Sequence, residues 1–309
     1  MPEWDAEIEI THALVRALLA NEHTDLTAFD PVLVGEGFDN SAYQVGEWLF
    51  RFPRRTFGGE AIEIELAWLP RLAKELPLPI SAPTRIGSAT EEYPWRFAGY
   101  RRLPGETADR ASLTEAQRAK LAAPLGTFLR ALHAIPVPPE APVDTLGRHE
   151  HTRRAPRVIE RLRSITDREL SDRAIDSVER LAETPAWNGE RVWVHGDLYG
   201  RHLLVDEEAA LTAVIDWGDL HAGDRAIDLS IAWSFLPPFA RSSFLESYGP
   251  VDRDTWARAR FRALHYGAAL LVYGPNVADT AITALGRLAL EEALRESEEP
   301  DPLGPLERG

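Results

Sequence analysis

The sequence contains no cysteine. This absence excludes disulfide frameworks, thiolate nucleophiles and cysteine-ligated zinc, and it fits a reducing compartment. Basic residues are also few, with 34 Lys and Arg against 49 Asp and Glu, so the net charge of −15 argues against a nucleic-acid partner. No apolar run approaches the roughly 20 residues that cross a bilayer, and the acidic start MPEWDAEIEI lacks a signal-like segment. We therefore expect a cytoplasmic protein that binds neither nucleic acid nor membrane.

The chain of 309 residues is long enough for two lobes. After a predicted helix at 5–20, the segment DPVLVGEGFDNSAYQVGEWLFRFPRR predicts three short strands with glycine-containing turns. A helix at 58–76 and strands near 83–86 and 95–101 follow. Further helices are predicted at 113–133, 158–181, 226–235, 256–272 and 282–294, and short strands at 191–194, 202–205 and 211–215. This order predicts an α+β fold with a small antiparallel sheet followed by a mostly helical part.

Polar residues stand at the ends of short strands in VWVHGDLYGRHLLVDEEAALTAVIDWGD, residues 192–219. Asp197 follows a strand and a glycine, His202 opens the next strand, and Asp216 follows the third. An aspartate in such a position more often caps a turn than acts in catalysis. Two carboxylates and an imidazole at one edge of a small sheet, however, are the groups needed to hold Mg²⁺ and to orient a hydroxyl for in-line phosphoryl transfer.

This stretch and the continuation VIDWGDLHAGDRAIDL resemble the aminoglycoside phosphotransferase-like antibiotic kinases, which have the protein-kinase fold. The resemblance covers nearly the whole chain and implies a bilobal fold. It implies a nucleotide-binding lobe at 1–102, a hinge near 97–103 and a helical lobe at 103–309 that carries the catalytic loop, the metal site and the substrate pocket.

The resemblance also implies roles for individual residues. Asp197 would orient the acceptor hydroxyl and accept its proton, and His195 would brace the catalytic loop. Asp216 would coordinate Mg²⁺ bridging the phosphates of GTP or ATP. Asp228, within the next predicted helix, would hydrogen-bond the backbone of the catalytic loop.

His202 stands where most members of this family have asparagine. In this respect the sequence resembles the macrolide 2′-phosphotransferase branch, which has histidine at this place. The difference is chemical, because Mg²⁺ prefers oxygen ligands and an imidazole nitrogen suits softer metals. His202 would contact the metal directly or through water, or else be a structural histidine.

The segment VGEGFDNSAYQVG predicts a turn between strands whose Gly35 and Gly37 let the backbone close over phosphates. Asn40 stands at the position of the third glycine of the kinase pattern. A plain hairpin would have the same pattern, so this motif is weak on its own.

Arg51 lies on the next strand, where a kinase has its phosphate-pairing lysine. Glu65 on the following helix resembles the carboxylate that pairs with that lysine, with Glu63 as the alternative, and a surface ion pair is the plainer interpretation. Further along, FAGYRRLPGE resembles the kinase hinge, and we expect the purine to contact the backbone near Phe97 to Tyr100. ATP and GTP cannot be distinguished from such contacts.

An apolar segment, AWSFLPPFARSSF, could line a pocket for a macrolide ring with Trp233, Phe235, Leu236 and Phe239. The alternative is that these residues belong to the core of the helical lobe. A polycationic aminoglycoside would need a cluster of carboxylates instead. RHEHTRR, residues 148–154, is interpreted as a solvated loop, since an i,i+2 spacing does not put both histidines on one helix face.

These features predict a small-molecule O-phosphotransferase that uses Mg²⁺ with GTP or ATP. The favoured acceptor is a macrolide, phosphorylated at the 2′-hydroxyl of its amino sugar, ahead of an aminoglycoside or a metabolite alcohol. We expect the protein to act as a monomer. A nucleotide-binding pseudokinase is the alternative from another class, motivated by Arg51 and His202, although the presence of both Asp197 and Asp216 argues against it.

Overall fold

The computed structural model describes residues 6–37 and 39–295. By the proximity of their Cα atoms, the residues form two compact units. Among the described residues, the sheet unit consists of those within Met1–Lys74, Pro79–Leu103 and Asp216–Asp219, and the helical unit of those within Glu75–Leu78, Pro104–Ile215 and Leu220–Gly309. Residues 75–78 therefore belong to the helical unit, although the residues on either side of them in sequence belong to the sheet unit. Residues 216–219 belong to the sheet unit, although their sequence neighbours belong to the helical unit.

The sheet unit has a five-stranded antiparallel sheet in the order β1-β2-β3-β5-β4. Its elements are α1 (His12–Glu22), β1 (Val32–Glu36), β2 (Asn40–Val45), β3 (Trp48–Pro53), α2 (Thr56–Leu72), β4 (Pro83–Gly87) and β5 (Phe97–Arg101). The turn between β2 and β3 has only two residues, and Gly46 adopts φ 61° there, a conformation that costs glycine little.

The period of two in β3 separates a core face from a polar face. Phe50 and Phe52 are fully buried with Phe97 of β5 and with the apolar residues of α1. Arg51, between them in sequence, points to the opposite face of the sheet because successive side chains alternate. The alternation of β3 therefore places one guanidinium where α2 can supply a partner.

The helical unit contains most of the helices and two small sheets. Its elements are β6 (Glu106–Thr107), α3 (Glu115–Lys120), α4 (Ala122–Ala134), α5 (His151–Arg163), α6 (Arg168–Ala182), β7 (Val192–Val194), β8 (Leu203–Val205), β9 (Leu211–Val214), β10 (His221–Gly223), α7 (Ala226–Leu229), α8 (Ile231–Ser234), α9 (Arg241–Tyr248), α10 (Arg253–Asn276) and α11 (Thr280–Leu294). One sheet has the order β6-β8-β9, and β10 pairs with β7.

Helix α10 is the centre of this unit, with 24 residues that pack against α5, α6, α7, α8 and α11. Its start is fixed by Asp252, whose Oδ1 accepts a hydrogen bond from the backbone N of Thr255 at 2.8 Å. The loop from β7 to β8, residues 195–202, is the predicted catalytic loop. It follows directly from buried strand residues, so its backbone is anchored at both ends.

The predicted α+β fold is confirmed, but four predicted helices were wrong in extent. Of the helix predicted at 5–20, residue 5 lies outside the described residues, and the helix begins only at His12. The helix predicted at 113–133 is divided into α3 and α4. The helix predicted at 158–181 is divided into α5 and α6, and Asp167 caps α6 by accepting from the backbone N of Leu170 at 3.2 Å. The helix predicted at 226–235 is the two short helices α7 and α8. RHEHTRR was predicted to be a solvated loop, but His151 begins α5 and is buried. None of the helices in the described part of the chain is long and apolar enough to span a membrane.

Candidate active site

A buried ion pair joins β3 to α2 in the sheet unit. Arg51 Nη1 donates to Glu65 Oε1 at 2.7 Å, and the Tyr100 hydroxyl donates to the second oxygen of Glu65. Glu63 instead pairs with Arg96 at 3.1 Å, where both side chains are about half exposed. Burial raises the pKa of Glu65, and Arg51 and the Tyr100 hydroxyl act in the opposite direction. The arginine is therefore held in one position at the sheet by a carboxylate and a phenol.

Asp216 belongs to the same unit and lies close to this pair. Its Oδ1 is 3.5 Å from Arg51 Nη1, its backbone N donates to Ser81 Oγ at 3.3 Å, and its side chain is 49% exposed. Burial by itself would lower the pKa of Arg51, but Glu65 and then Asp216 raise it above the usual value. Asp216 adopts φ 62°, a left-handed conformation that aspartate tolerates better than most residues. Ser81 had no distinguishing signal in the sequence.

The turn between β1 and β2 is stabilised by backbone contacts. Gly37 N donates to the carbonyl of Asn40 at 2.9 Å, and Arg54 Nη1 donates to the carbonyl of Gly37 at 2.9 Å. A Cβ atom at Gly35 would meet no atom within 4 Å. The side-chain Oδ1 of Asn40 is buried and accepts no hydrogen bond within the described residues.

The two residues predicted at the hinge lie on β5. Phe97 is fully buried and stacks on Phe52 with a centroid distance of 4.9 Å. Tyr100 is also buried, and its hydroxyl contacts Glu65. Because β5 pairs with β3 on one edge and β4 on the other, backbone groups of residues 97–100 take part in the sheet. The chain beyond β5 begins with Arg102, whose backbone N lies 3.4 Å from the carbonyl of Glu47.

The predicted catalytic loop in the helical unit is held by a buried carboxylate. Asp228 on α7 accepts hydrogen bonds from the backbone N of His195 at 2.7 Å and of Gly196 at 3.0 Å. Gly196 adopts φ 85°, which favours glycine. Although burial would raise it, the pKa of Asp228 is lowered, chiefly by its contact with His133. Asp228 therefore stays ionised and fixes the start of the loop.

His195 acts as a bridge within the loop. Its Nε2 donates to the carbonyl of Ile215 at 3.0 Å, so Nδ1 is the nitrogen that accepts from the backbone N of Asp197 at 3.3 Å. Burial, and then the proximity of His202, lowers the pKa of His195, which favours this neutral form. Through these two hydrogen bonds, His195 connects the carbonyl of Ile215, the residue before Asp216, to the backbone N of Asp197.

Asp197 presents its carboxylate from this fixed backbone, and 30% of its side chain is exposed. His202 closes the loop, since its Nδ1 donates to the carbonyl of Asp197 at 2.7 Å. This hydrogen bond puts the proton on Nδ1, so neutral His202 has its lone pair on Nε2. The ring of Tyr199 packs against His202 with a centroid distance of 4.4 Å. Across residues 6–37 and 39–295, no three His, Asp or Glu side chains are grouped closely enough to hold a metal ion by themselves.

Three of the four residues predicted to contact the acceptor are buried in the helical unit. Trp233 is buried, and the guanidinium groups of Arg241 and Arg260 lie 4.1 Å and 4.8 Å from its ring centroid. Phe235 and Leu236 are also buried, whereas Phe239 is 54% exposed.

The support behind Asp228 could not be predicted from the sequence. His133 Nε2 is 3.4 Å from the Asp228 carboxylate, and His133 Nδ1 is 2.8 Å from the Tyr248 hydroxyl. His133 precedes Asp228 by 95 residues and lies on α4, in a segment that reads as an ordinary amphipathic helix. A lone histidine in such a helix has no local feature that marks it.

Comparison with known proteins assigns the chain to a family. The profile of the phosphotransferase enzyme family (APH) matches residues 31–263. Among curated proteins, the chain is 28% identical over 72 residues to the uncharacterized protein YcbJ of Bacillus subtilis (strain 168), a match that spans 23% of this chain and 24% of YcbJ.

Solved structures share the fold over nearly the full length. The GDP and kanamycin complex of APH(2")-IIia is 23% identical with a TM-score of 0.66, covering 90% of this chain and 97% of that one. The apoenzyme of macrolide 2'-phosphotransferase MphH from Brachybacterium faecium is 24% identical with a TM-score of 0.56, covering 93% and 99%. Since the family profile spans well over half of the residues, the chain belongs to the phosphotransferase enzyme family.

Proposed function

We propose that this phosphotransferase moves the γ-phosphoryl group of GTP or ATP to a hydroxyl of a small molecule, with Asp197 as the residue that orients the hydroxyl and accepts its proton. The observation that carries the proposal is the loop held by Asp228 through two backbone hydrogen bonds, from which the Asp197 carboxylate reaches solvent. A carboxylate fixed in this way is suited to a positioned hydroxyl, because phosphoryl transfer depends mainly on positioning and electrostatic stabilisation. His195 supports the loop from within.

The sheet unit is proposed to bind the nucleotide. Arg51 has a fixed charge and a planar fork suited to phosphate, and Glu65 and Tyr100 hold it in place. The turn with Gly35 and Gly37 is proposed to cover the phosphates. Purine recognition is proposed for the backbone near Phe97 to Tyr100, as part of a hinge at 97–103 between lobes at 1–102 and 103–309.

Mg²⁺ is compatible with the donor groups present. It is a hard ion that takes one or two carboxylates together with phosphate oxygens and water, so a cluster of three protein ligands is not required. The half-exposed carboxylate of Asp216 suits this role, and His202 is proposed to contact the ion through Nε2, directly or through water. When bound, the ion would neutralise charge on the transferred phosphoryl group.

The acceptor that the sequence predicts is a macrolide, and the fold similarity to MphH supports including it. Trp233, Phe235 and Leu236 are buried, so Phe239 is the predicted pocket residue with the most accessible surface. We therefore propose a hydroxylated small molecule as the acceptor class, with macrolides, aminoglycosides and metabolite alcohols as the candidates to test. The proposal is of a cytoplasmic monomer, without nucleic-acid or membrane partners.

The test is an acceptor panel with Asp197→Ala as the key variant. The purified chain, Mg²⁺ and GTP or ATP are incubated with each candidate, and mass spectrometry detects phosphorylated acceptor. Asp197→Ala should reduce transfer by about 10²–10⁴-fold while nucleotide affinity stays within twofold, because a hydroxyl-orienting base acts on the acceptor side. The control is Asp172→Ala, an exposed aspartate on α6.

Normal turnover in Asp197→Ala would refute the catalytic assignment. Mg²⁺-dependent nucleotide binding without product from any acceptor would favour the alternative function, a nucleotide-binding pseudokinase.

A further inference from the structure

Four arginines and a histidine form a basic cluster in the helical unit, which we call the arginine face. Arg262 and His265 are buried in it, whereas Arg157 is exposed. Arg154, Arg157 and Arg161 are spaced by three and four residues on α5 and so lie along one stripe of that helix. Arg262 and His265 are three residues apart on α10, which packs against α5. All four arginines are close enough to His265 to affect its pKa.

His265 is placed between two guanidinium groups. Arg161 Nη1 lies 3.3 Å from His265 Nε2, and Arg262 Nη1 lies 3.3 Å from His265 Nδ1. A neutral imidazole has one nitrogen that accepts and one that donates, so it can accept from only one of these two arginines. At the other contact, two N–H donors face each other. The histidine therefore does not neutralise the arginines that surround it.

His265 is subject to the positive charge of four arginines. Burial lowers the pKa of His265 well below its usual value, and the four arginines lower it further. Burial also lowers the pKa of Arg161, with Arg157 and Arg154 adding to the effect and Glu160 opposing it weakly. Within the described residues, none of Arg154, Arg157 and Arg161 forms an ion pair with a carboxylate, whereas Arg153 of the same helix pairs with Glu150 at 2.6 Å.

The carboxylates near the α5 stripe do not neutralise it. Arg154 donates to the carbonyls of Gly147 and Leu146. Asp144 and Glu150 raise the pKa of Arg154, but burial and the neighbouring arginines outweigh them. The carboxylate of Asp144 forms an ion pair with Arg148 at 3.1 Å. The α5 stripe thus keeps an excess of positive charge.

The arginine face adjoins the catalytic loop. Arg262 Nη2 lies 3.5 Å from the carbonyl oxygen of Gly196, the residue before Asp197. The guanidinium of Arg262 lies 4.7 Å from the centroid of the Tyr266 ring, and Tyr266 lies 5.4 Å from the ring of Tyr199. All these residues belong to the helical unit, so the positive charge lies beside the loop that presents Asp197.

We infer that the arginine face binds an anionic group, a carboxylate or a phosphate, carried by the molecule whose hydroxyl is phosphorylated. This inference rests on the proposed function. Guanidinium groups bind carboxylates and phosphates through paired N–H donors, and an anion would offset the repulsion among Arg154, Arg157 and Arg161. A cationic aminoglycoside or the dimethylamino sugar of a macrolide would be repelled here. Among the candidate acceptors, the arginine face therefore favours a hydroxylated metabolite that bears an acid group.

The first experiment measures anion binding without turnover. Inorganic phosphate is titrated into the full-length chain by calorimetry with Mg²⁺ and a saturating non-hydrolysable GTP or ATP analogue, so that the nucleotide site is filled. Wild type should bind phosphate saturably, and Arg157→Met and Arg161→Met should weaken binding about tenfold each, since each removes a charge-assisted contact. The matched control is Arg163→Met, an exposed arginine outside the stripe of α5, which should change affinity less than twofold.

Thermal unfolding checks that the variants fold, and Arg161→Lys should keep part of the affinity because it keeps the charge. Absence of saturable phosphate binding in wild type, or equal affinity in Arg161→Met and Arg163→Met, would overturn the inference.

The second experiment compares acceptors that differ in charge alone. Glycerate is paired with glycerol, and glucose 6-phosphate with glucose, alongside kanamycin and erythromycin, with mass spectrometry as the readout. We expect phosphorylated product from an anionic acceptor and not from its neutral partner. Product from glycerate would indicate that the arginine face binds a carboxylate, and product from glucose 6-phosphate would indicate that it binds a phosphate. Arg161→Met should raise the KM for that acceptor about tenfold with a smaller effect on kcat.

Products from neutral or cationic acceptors alone would refute the inference and leave the proposed function intact. If no acceptor is phosphorylated, the proposed function fails and the assignment of the anion to the acceptor fails with it. The phosphate titration would still decide whether the arginine face binds anions.

Discussion

Replacing Asp228 with asparagine tests how the loop of residues 195–202, the proposed catalytic loop, is held. The carboxylate is buried and accepts two backbone hydrogen bonds, at 2.7 Å from His195 N and 3.0 Å from Gly196 N. An asparagine of the same shape has one acceptor oxygen, so its amide nitrogen would face the second backbone N–H. The substitution therefore leaves a buried donor unsatisfied without changing the side-chain volume.

The expected cost follows from these two contacts. A buried donor without a partner costs about 1–3 kcal/mol, and replacing a charged acceptor by a neutral one at the remaining bond costs about 1 kcal/mol. The total of about 2–4 kcal/mol corresponds to a fall of about 4–16 °C in the Tm of a unit of roughly 200 residues. We also expect kcat to fall at least about tenfold, because a displaced loop misaligns Asp197.

The pH dependence distinguishes this mechanism from general damage. Because the pKa of Asp228 is lowered in the folded protein, its contribution to stability is complete above the ordinary carboxyl value of 3.8 and is lost as the pH falls through the lower folded value. The stability difference between wild type and Asp228→Asn should thus be constant from pH 5 to pH 8 and shrink below about pH 4.

Calorimetry of both proteins and of the control Asp172→Asn, an exposed change expected to cost less than about 0.5 kcal/mol, provides the measurement. An unchanged Tm together with wild-type kcat in Asp228→Asn would refute this account of the loop.

Three other variants test separate parts of the site. His202→Asn should keep substantial activity and shift metal preference from Mn²⁺ toward Mg²⁺, since an amide oxygen is the harder ligand; an unchanged Mg²⁺/Mn²⁺ activity ratio would remove His202 from the metal site. Glu65→Gln breaks a buried pair with Arg51, so it should destabilise the sheet unit by about 3–5 kcal/mol and weaken nucleotide binding. Glu63→Gln affects an exposed pair and should cost at most about 1 kcal/mol. Equal losses of stability for the two variants in calorimetry would contradict this distinction. The lowered pKa of His265 means that the unfolded chain binds more protons just below pH 6.5, so stability should fall by up to about 1.4 kcal/mol per pH unit as the pH decreases from 6.5. His265→Gln should reduce that slope in urea titrations at several pH values, and an unaltered slope would show that His265 does not titrate in this way.

The fold was predictable because its signals are local. The period of two along β3 separates Phe50 and Phe52 from Arg51, and this alternation needs no knowledge of distant partners. The glycine of His195-Gly196-Asp197 adopts φ 85°, so a residue type in the sequence corresponds directly to a backbone conformation.

The break between α5 and α6 was missed for a reason that the contacts explain. Leu162, Ile165 and Leu170 continue a helix-like apolar spacing through the break, and all three are buried. The chain nevertheless leaves the helix at Ser164, and Asp167 starts the next one. Periodicity reports which side chains face the core, and it cannot report a change of helix direction that keeps the same side chains facing inward.

Partners that are distant in sequence set the remaining limits. Tyr100 is predicted to lie at the hinge through its backbone, and nothing in the sequence shows that its hydroxyl is the second donor to Glu65, 35 residues earlier in the chain. The same applies to His133, which supports Asp228 from another helix. Such pairings depend on how the elements pack, and no spacing within one element encodes them.

The charge around His265 illustrates this limit most clearly. A net charge of −15 favours cationic or neutral ligands when the chain is treated as a whole. A bound group, however, responds mainly to charges within a Debye length, about 8 Å at physiological ionic strength. Arg161 and Arg262 are 101 residues apart in the chain and both lie 3.3 Å from the ring of His265. The packing of α5 on α10 therefore makes this region basic within an acidic protein. For this reason, the inferred charge of the acceptor follows from the side chains that lie near residues 195–202 and not from the composition of the whole chain.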